Sequence, residues 1–144
     1  MLKPMMIVAL VAGLVWLSPA QEQKSGNVSQ SVEELEALNY PYLARLSGFT
    51  GRVVVIVKLD DTGRVVSASI VPKIGRTEGL LTDDSLSNAR KWRFHPNPQK
   101  EALLVYDFRI EKDCTELQIE SAVPSNFHFQ APNLATITAC PLPK

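Results

Sequence analysis

The stretch from Gly51 to Val71, GRVVVIVKLDDTGRVVSASIV, constrains the fold of this chain more than any other. It holds two runs rich in β-branched residues, joined by Asp60-Asp61-Thr62-Gly63, and that arrangement predicts a β-hairpin. Side chains alternate across a strand. Val53, Val55, Val57 and Leu59 therefore share one face of the first arm, and Arg52, Val54, Ile56, Lys58 and Asp60 take the other. On the second arm Val66, Ala68 and Ile70 share a face, opposite Ser67 and Ser69. A two-stranded hairpin is marginal in water, so its apolar face has to be covered by helices or further strands.

The flanking segments offer both. Ser31-Val32-Glu33-Glu34 fits a capping box and predicts a short helix. Asn39-Tyr40-Pro41 interrupts it, because the residue before a proline is pushed out of helical geometry. Pro41 suits the first turn of a second helical piece, which runs to Ser47 and stops at Gly48. Leu43, Leu46 and Phe49 are its candidates for contact with the hairpin. Pro72 to Gly79 reads as a loop. Thr82 is then expected to cap a helix, with Asp83 and Asp84 at its positive end and Arg90, Lys91 and Arg93 at its negative end. Leu86, Ala89 and Trp92 form the stripe that faces the sheet. From Ala102 to Ile110 the alternation returns, with Leu104, Tyr106, Phe108 and Ile110 as the core face. The predicted class is α+β: a small antiparallel β-sheet with two helices packed on one face, plus a C-terminal β extension.

Charge narrows the range of partners. The 144 residues carry 15 basic and 15 acidic side chains, spread along the chain without a basic stripe, so no nucleic-acid face is expected. At the N-terminus Lys3 precedes an apolar run, Met5 to Leu17, and Ser18-Pro19-Ala20 forms a small-residue cleavage site. Residues 1–20 are read as a signal peptide, which implies a periplasmic or secreted protein. The run of about 13 apolar residues is short of the ~20 that a spanning helix needs. Residues 21–30 are polar and aperiodic, a disordered lead-in, and the folded unit is expected over 31–111 with the extension at 112–144.

Several pieces together carry a resemblance. Tyr40-Pro41, Gly51-Arg52-Val53, the hairpin segment Asp61-Thr62-Gly63-Arg64-Val65, Leu81, and Trp92-Arg93-Phe94-His95-Pro96 stand in the order of the TonB C-terminal domain. Over roughly residues 36–111 the chain resembles that family. The resemblance implies a small antiparallel sheet carrying two helices on one face, and a protein-interaction module as the function. In energy transducers of the family, this domain grips the short N-terminal box of an outer-membrane transporter by pairing it against a sheet edge. The strand that corresponds here is Leu103, Leu104, Val105, Tyr106, Asp107, Phe108, Arg109 and Ile110. The implied partner is a protein or peptide of the cell envelope, with no small-molecule substrate and with membrane contact only through partners. The transducers also carry a retained anchor and a long Pro-rich spacer. Here about twenty residues separate the apolar run from the fold, a coil reaching only ~25 Å.

The remaining chemistry-bearing residues read as structural. Trp92 and Phe94 are core aromatics, Lys91 and Arg93 belong to a solvated face, and Tyr40 packs its ring while its hydroxyl bonds a turn. His95 and His128 lack partners at ligand spacing, so no metal site is expected. The sequence has no nucleophile elbow, H-E-x-x-H, Gly-rich phosphate loop or Cys–His arrangement, so neither catalysis nor a cofactor is expected.

Beyond residue 112 the sequence goes past the strand at which the resemblance ends. Thr115 to Ser121 and Leu134 to Ala139 have strand character, with Pro124 and Pro132 at turns. Cys114 and Cys140 read as a disulfide in an exported protein; free thiols or an intermolecular bond are the alternatives. An antiparallel pairing of the two strands that end in these cysteines would part the sulfurs by ~30 Å. Residues 115–121 are therefore expected to run back first. Residues 134–139 then return alongside them, or against the third strand in parallel. Two functions follow: an envelope module that binds a partner strand, or a structural or assembly subunit whose edge is capped by its own extension.

Overall fold

A computed structural model describes residues 31–72, 79–120 and 125–143. The proposed signal peptide and lead-in, residues 1–30, lie outside the described residues, as do most of the loop after Pro72 and the turn at Pro124. Among the described residues no helix is long and apolar enough to cross a membrane.

The elements in chain order are β1 (Val32–Glu34), α1 (Tyr42–Ser47), β2 (Gly51–Leu59), β3 (Val65–Ile70), α2 (Gly79–Ala89), β4 (Arg93–Phe94), β5 (Glu101–Ile110), α3 (Glu116–Glu120), β6 (Asn126–Gln130) and β7 (Leu134–Ala139). Five strands form one sheet in the order β3-β2-β5-β7-β6, and β1 and β4 form a second, two-stranded sheet. The class is α+β as the sequence implies. The large sheet is mixed, because β7 runs parallel to β5 while its other pairs are antiparallel.

The hairpin forms through β2 and β3. Val53, Val55, Val57 and Leu59 are all buried, the expected core face. Opposite them stand Ile70, Ala68 and Val65, not Val66. The register slips between Lys58 and Leu59, so Val66 is the extra residue of a bulge and lies 63% exposed. A one-residue slip sends a side chain to the opposite face, which strict alternation cannot foresee. In the connecting turn the Asp60 carboxylate accepts from Thr62 N, Thr62 Oγ1 and Arg64 N at 2.8, 2.7 and 3.0 Å. The Thr62 bond is the main reason that this carboxyl sits below its ordinary pKa. Gly63 has a φ of +82°, and a Cβ there would lie 1.7 Å from the Phe94 carbonyl oxygen. The turn is the seat of β4: Phe94 N donates to Gly63 O at 2.9 Å.

Three expected elements differ. Val32–Glu34 is a strand paired to β4, with Val32 opposite Phe94. The capping-box residues have too few helical positions behind them to repay nucleation, so tertiary pairing wins. The second helix starts at Gly79 and ends at Ala89, which places Thr82 inside it, donating Oγ1 to Gly79 O at 3.1 Å. Arg90, Lys91 and Trp92 follow the helix, and Arg93 stands in β4. Residues 116–120 form a helix where a strand was expected. Thr115 and Gln118 make its reciprocal cap: Thr115 N donates to Gln118 Oε1 at 2.9 Å, and Gln118 N donates to Thr115 Oγ1 at 3.3 Å. Thr-Glu-Leu-Gln is itself a capping-box signature, which the high strand propensity of the segment obscured.

One core unites the sheet and the helices. Ala44 of α1, Leu81 and Ala89 of α2, Trp92 and Phe94 pack on Val53, Val55, Val57, Leu104, Tyr106 and Phe108. The face of α1 is not the expected one: Leu43 and Leu46 are 58% and 50% exposed, and Ala44 and Arg45 are buried instead. Asn88 organises the polar atoms inside. Its Oδ1 accepts from Trp92 Nε1 at 2.8 Å and from the Tyr106 hydroxyl at 3.0 Å, and its Nδ2 donates to Glu36 O at 3.0 Å. Burial drives the Tyr106 phenol well above its usual pKa, so it serves this network as a permanent donor. Asn88→Ala leaves two buried donors unmet and is expected to cost about 2 kcal/mol. A fall in the urea midpoint at constant slope would show it; an unchanged midpoint would mean that the network carries no stability.

Candidate functional site

The strand that the sequence singles out for partner pairing, Leu103–Ile110, is the main part of β5. Leu104, Tyr106 and Phe108 are buried on the helix-covered face of the sheet. On the opposite face Asp107, only 6% exposed, is set between two arginines. Arg109 Nε donates to Asp107 Oδ2 at 2.9 Å, and Arg52 Nε lies 3.5 Å from Oδ1. Arg52 reaches it because the β2–β5 register places the two residues side by side.

Main-chain pairing decides what this strand can do. On one side β2 pairs antiparallel with β5, from Gly51 opposite Phe108 to Lys58 opposite Glu101. On the other side β7 pairs parallel, from Val105 beside Leu134 to Ile110 beside Ala139. Val105 N donates to Asn133 O at 2.8 Å where this pairing begins, and Glu111 N donates to Ala139 O at 2.9 Å where it ends. Of the eight expected edge residues, Val105 to Ile110 lie in the β5–β7 register, which stops short of Leu103 and Leu104. The chain's own C-terminal segment thus occupies the edge.

Further ties hold that segment down. Cys114 and Cys140 form a disulfide with a Cα–Cα distance of 5.9 Å. This bond requires both cysteines at the same end of the sheet, and of the two arrangements open at the sequence level the parallel one against β5 is found. Arg45 of α1 donates Nε to Cys140 O at 2.6 Å, and Tyr40 N donates to Ser125 Oγ, also at 2.6 Å. Tyr40 also donates its hydroxyl to Phe49 O in the turn after α1, and burial pushes its pKa to about 12. Ala135, Ile137 and Ala139 of β7 are buried in the common core. Phe127 and Phe129 of β6 meet the Trp92 ring edge-on, with centroids 6.5 and 5.3 Å away.

Sequence reasoning did not find Arg45, Ser125 or Asn88. An arginine on a short helix reads as a solvated charge, and nothing near residue 45 points to a carbonyl 95 positions away. Ligand-type atoms of Glu111, Cys114 and Cys140 lie within 4.8 Å of one another, but both sulfurs are committed to the disulfide. A cavity of about 380 Å³ between the β1–α1 segment and α2 is lined by Glu36, Asn39, Tyr40, Asp84, Asn88 and Lys91. Its charged rim includes a Glu36–Lys91 ion pair at 3.6 Å, and such an exposed pair contributes little.

The fold and this occupied edge define a small α+β domain organised around strand pairing. The family described as Gram-negative bacterial TonB protein C-terminal matches residues 36–112, more than half of the chain, and the protein belongs to that family. Domains of this family are non-catalytic periplasmic modules that interact with proteins of the cell envelope. No curated protein and no solved structure matches the chain. The matched region ends just before Cys114. The disulfide, α3 and the β6–β7 hairpin that closes the edge therefore all lie outside it.

Proposed function

We propose that this protein is an exported envelope interaction module whose partner-pairing strand is Leu103–Ile110, held closed by its own C-terminal extension. The observation that carries the reading is the parallel β5–β7 pairing over Val105–Ile110, clamped by the Cys114–Cys140 disulfide. An extended partner peptide adds to a sheet through main-chain hydrogen bonds, and side-chain pockets on alternate residues supply selectivity. A partner strand arriving at β5 has to displace β7, with Ala135, Ile137 and Ala139 leaving the core. That cost subtracts directly from the binding free energy. In this reading the signal peptide over residues 1–20 delivers the module to the periplasm, and the process it serves is outer-membrane transport.

The same closure supports a second reading, a structural or assembly subunit whose edge is permanently satisfied by β7. One titration separates the two. A peptide with the sequence of a transporter's N-terminal box is titrated into the oxidised protein, into its Cys114→Ser/Cys140→Ser variant, and into a chain ending at Lys112 whose folding is checked by circular dichroism. Weak or absent binding to the oxidised form is expected, with tighter binding to the opened forms. Equal affinity for all three would refute occlusion. Absence of binding to a folded, opened form would leave the assembly reading.

A further inference from the structure

The five-stranded sheet has two outer strands, β3 and β6, and they are built in opposite ways. A bare strand edge is a template for another strand, and proteins blunt such edges with bulges, charges or prolines. At β3 the bulge at Val66 breaks the register with β2, and Arg64 bridges across to Arg93. At β6 none of these devices is present. Asn126-Phe127-His128-Phe129-Gln130 contains no Lys, Arg, Asp, Glu or Pro, and its pairing with β7 is regular throughout. No described strand lies on its outer side.

The sequence of β6 is also chemically symmetric about its centre: amide, phenylalanine, histidine, phenylalanine, amide. We infer that the outer edge of β6 pairs antiparallel with β6 of a second copy of this chain, with His128 on the two-fold axis. In that register Asn126 of each copy faces Gln130 of the other, Phe127 faces Phe129, and His128 faces His128. A two-fold contact requires a self-complementary patch, and this strand is one. Phe127 and Phe129 are only half-buried against Trp92, so the partner's rings cover apolar surface still open to water. Cross-strand aromatic pairs are among the more stabilising ones. On the opposite face Asn126, His128 and Gln130 are exposed, and their amides can form a ladder across the joint. The formal net charge is zero for the full chain and one unit negative once residues 1–20, with Lys3, are removed, so long-range repulsion between copies is small.

A joint of two five-residue strands is small, so the dimer is weak and reversible. It is independent of the β5 edge, because β7 stands between the two, and it exists in the closed protein. Sedimentation equilibrium of the purified, disulfide-bonded protein from micromolar to millimolar concentration is expected to show a monomer–dimer equilibrium. His128→Lys and His128→Glu each set a like charge against itself on the axis and should weaken the dimer about tenfold. An equimolar mixture of the two variants should restore association, because the axis then holds an opposite-charge pair. Hydrogen exchange should show β6 amides gaining protection as concentration rises. A protein that stays monomeric at millimolar concentration would overturn the inference. So would a dimer that both variants leave intact, since its interface would then lie elsewhere. A partner strand of another protein on this edge is the alternative occupant that a monomeric result would favour.

Discussion

Trp92→Ala is expected to remove about 3–5 kcal/mol of stability, the range for truncating a large buried aromatic. Trp92 is 2% exposed, and its ring contacts reach both parts of the chain. Its centroid lies 6.3 Å from Phe94 and 6.3 Å from Tyr106 within the region matched by the family. It also lies 5.3 Å from Phe129 in the extension. Truncation therefore opens a cavity at the junction of α2, β5 and the β6–β7 hairpin. It also removes the Nε1 donor from Asn88 Oδ1. Against a domain stability of ~5–15 kcal/mol this is a large fraction, and the melting temperature should fall by roughly 15 °C or more. Trp92→Phe keeps a ring in the site and loses the N–H, so it should cost less than half as much. Thermal and urea unfolding of both variants would show the ordering. A shift of a degree or two for the alanine variant would mean that the aromatic cluster is not a stabilising hub.

The second large effect is expected at the disulfide. Cys114→Ser/Cys140→Ser opens a loop with a sequence separation of 26 residues. In the chain-entropy account, closing a loop of that length contributes about 3 kcal/mol. The loss is expected to act locally as well. Without the bond, the C-terminal end of β7 is held to α1 by the Arg45–Cys140 carbonyl contact and to β5 by its terminal main-chain bond. Amides of β6 and β7 should then exchange sooner than those of β2. The oxidised protein should lose thermal stability when a reductant is added, whereas the serine variant should not respond to it. If oxidised, reduced and serine forms unfold together, the bond contributes nothing and the closed edge depends on strand pairing alone.

Local patterns in the sequence determined a good deal. The two-residue period of Val53 to Leu59 and of Leu104 to Phe108 is written into the residues themselves. It predicts which faces are buried without any knowledge of neighbours. The Pro41 start and Gly48 stop of α1 follow from backbone chemistry, and the positive φ and close seat of Gly63 against the Phe94 carbonyl explain why glycine stands in the turn. The even cysteine count pointed to the bond that the structure shows.

Tertiary structure decided the rest, for an equally physical reason. Strand or helix for Val32–Glu34 depends on whether Phe94 is there to pair with it. Val66 leaves the core face only because the β2–β3 register slips. Whether β5 offers an edge was not readable from residues 103–110 alone, since their pattern is the same with one neighbour or with two. The answer lay in a segment some thirty residues later, brought alongside by a parallel return, a disulfide and a buried arginine. These interactions join residues distant in the chain and leave no periodicity in it, so only the folded protein shows that the strand expected to bind a partner is already paired.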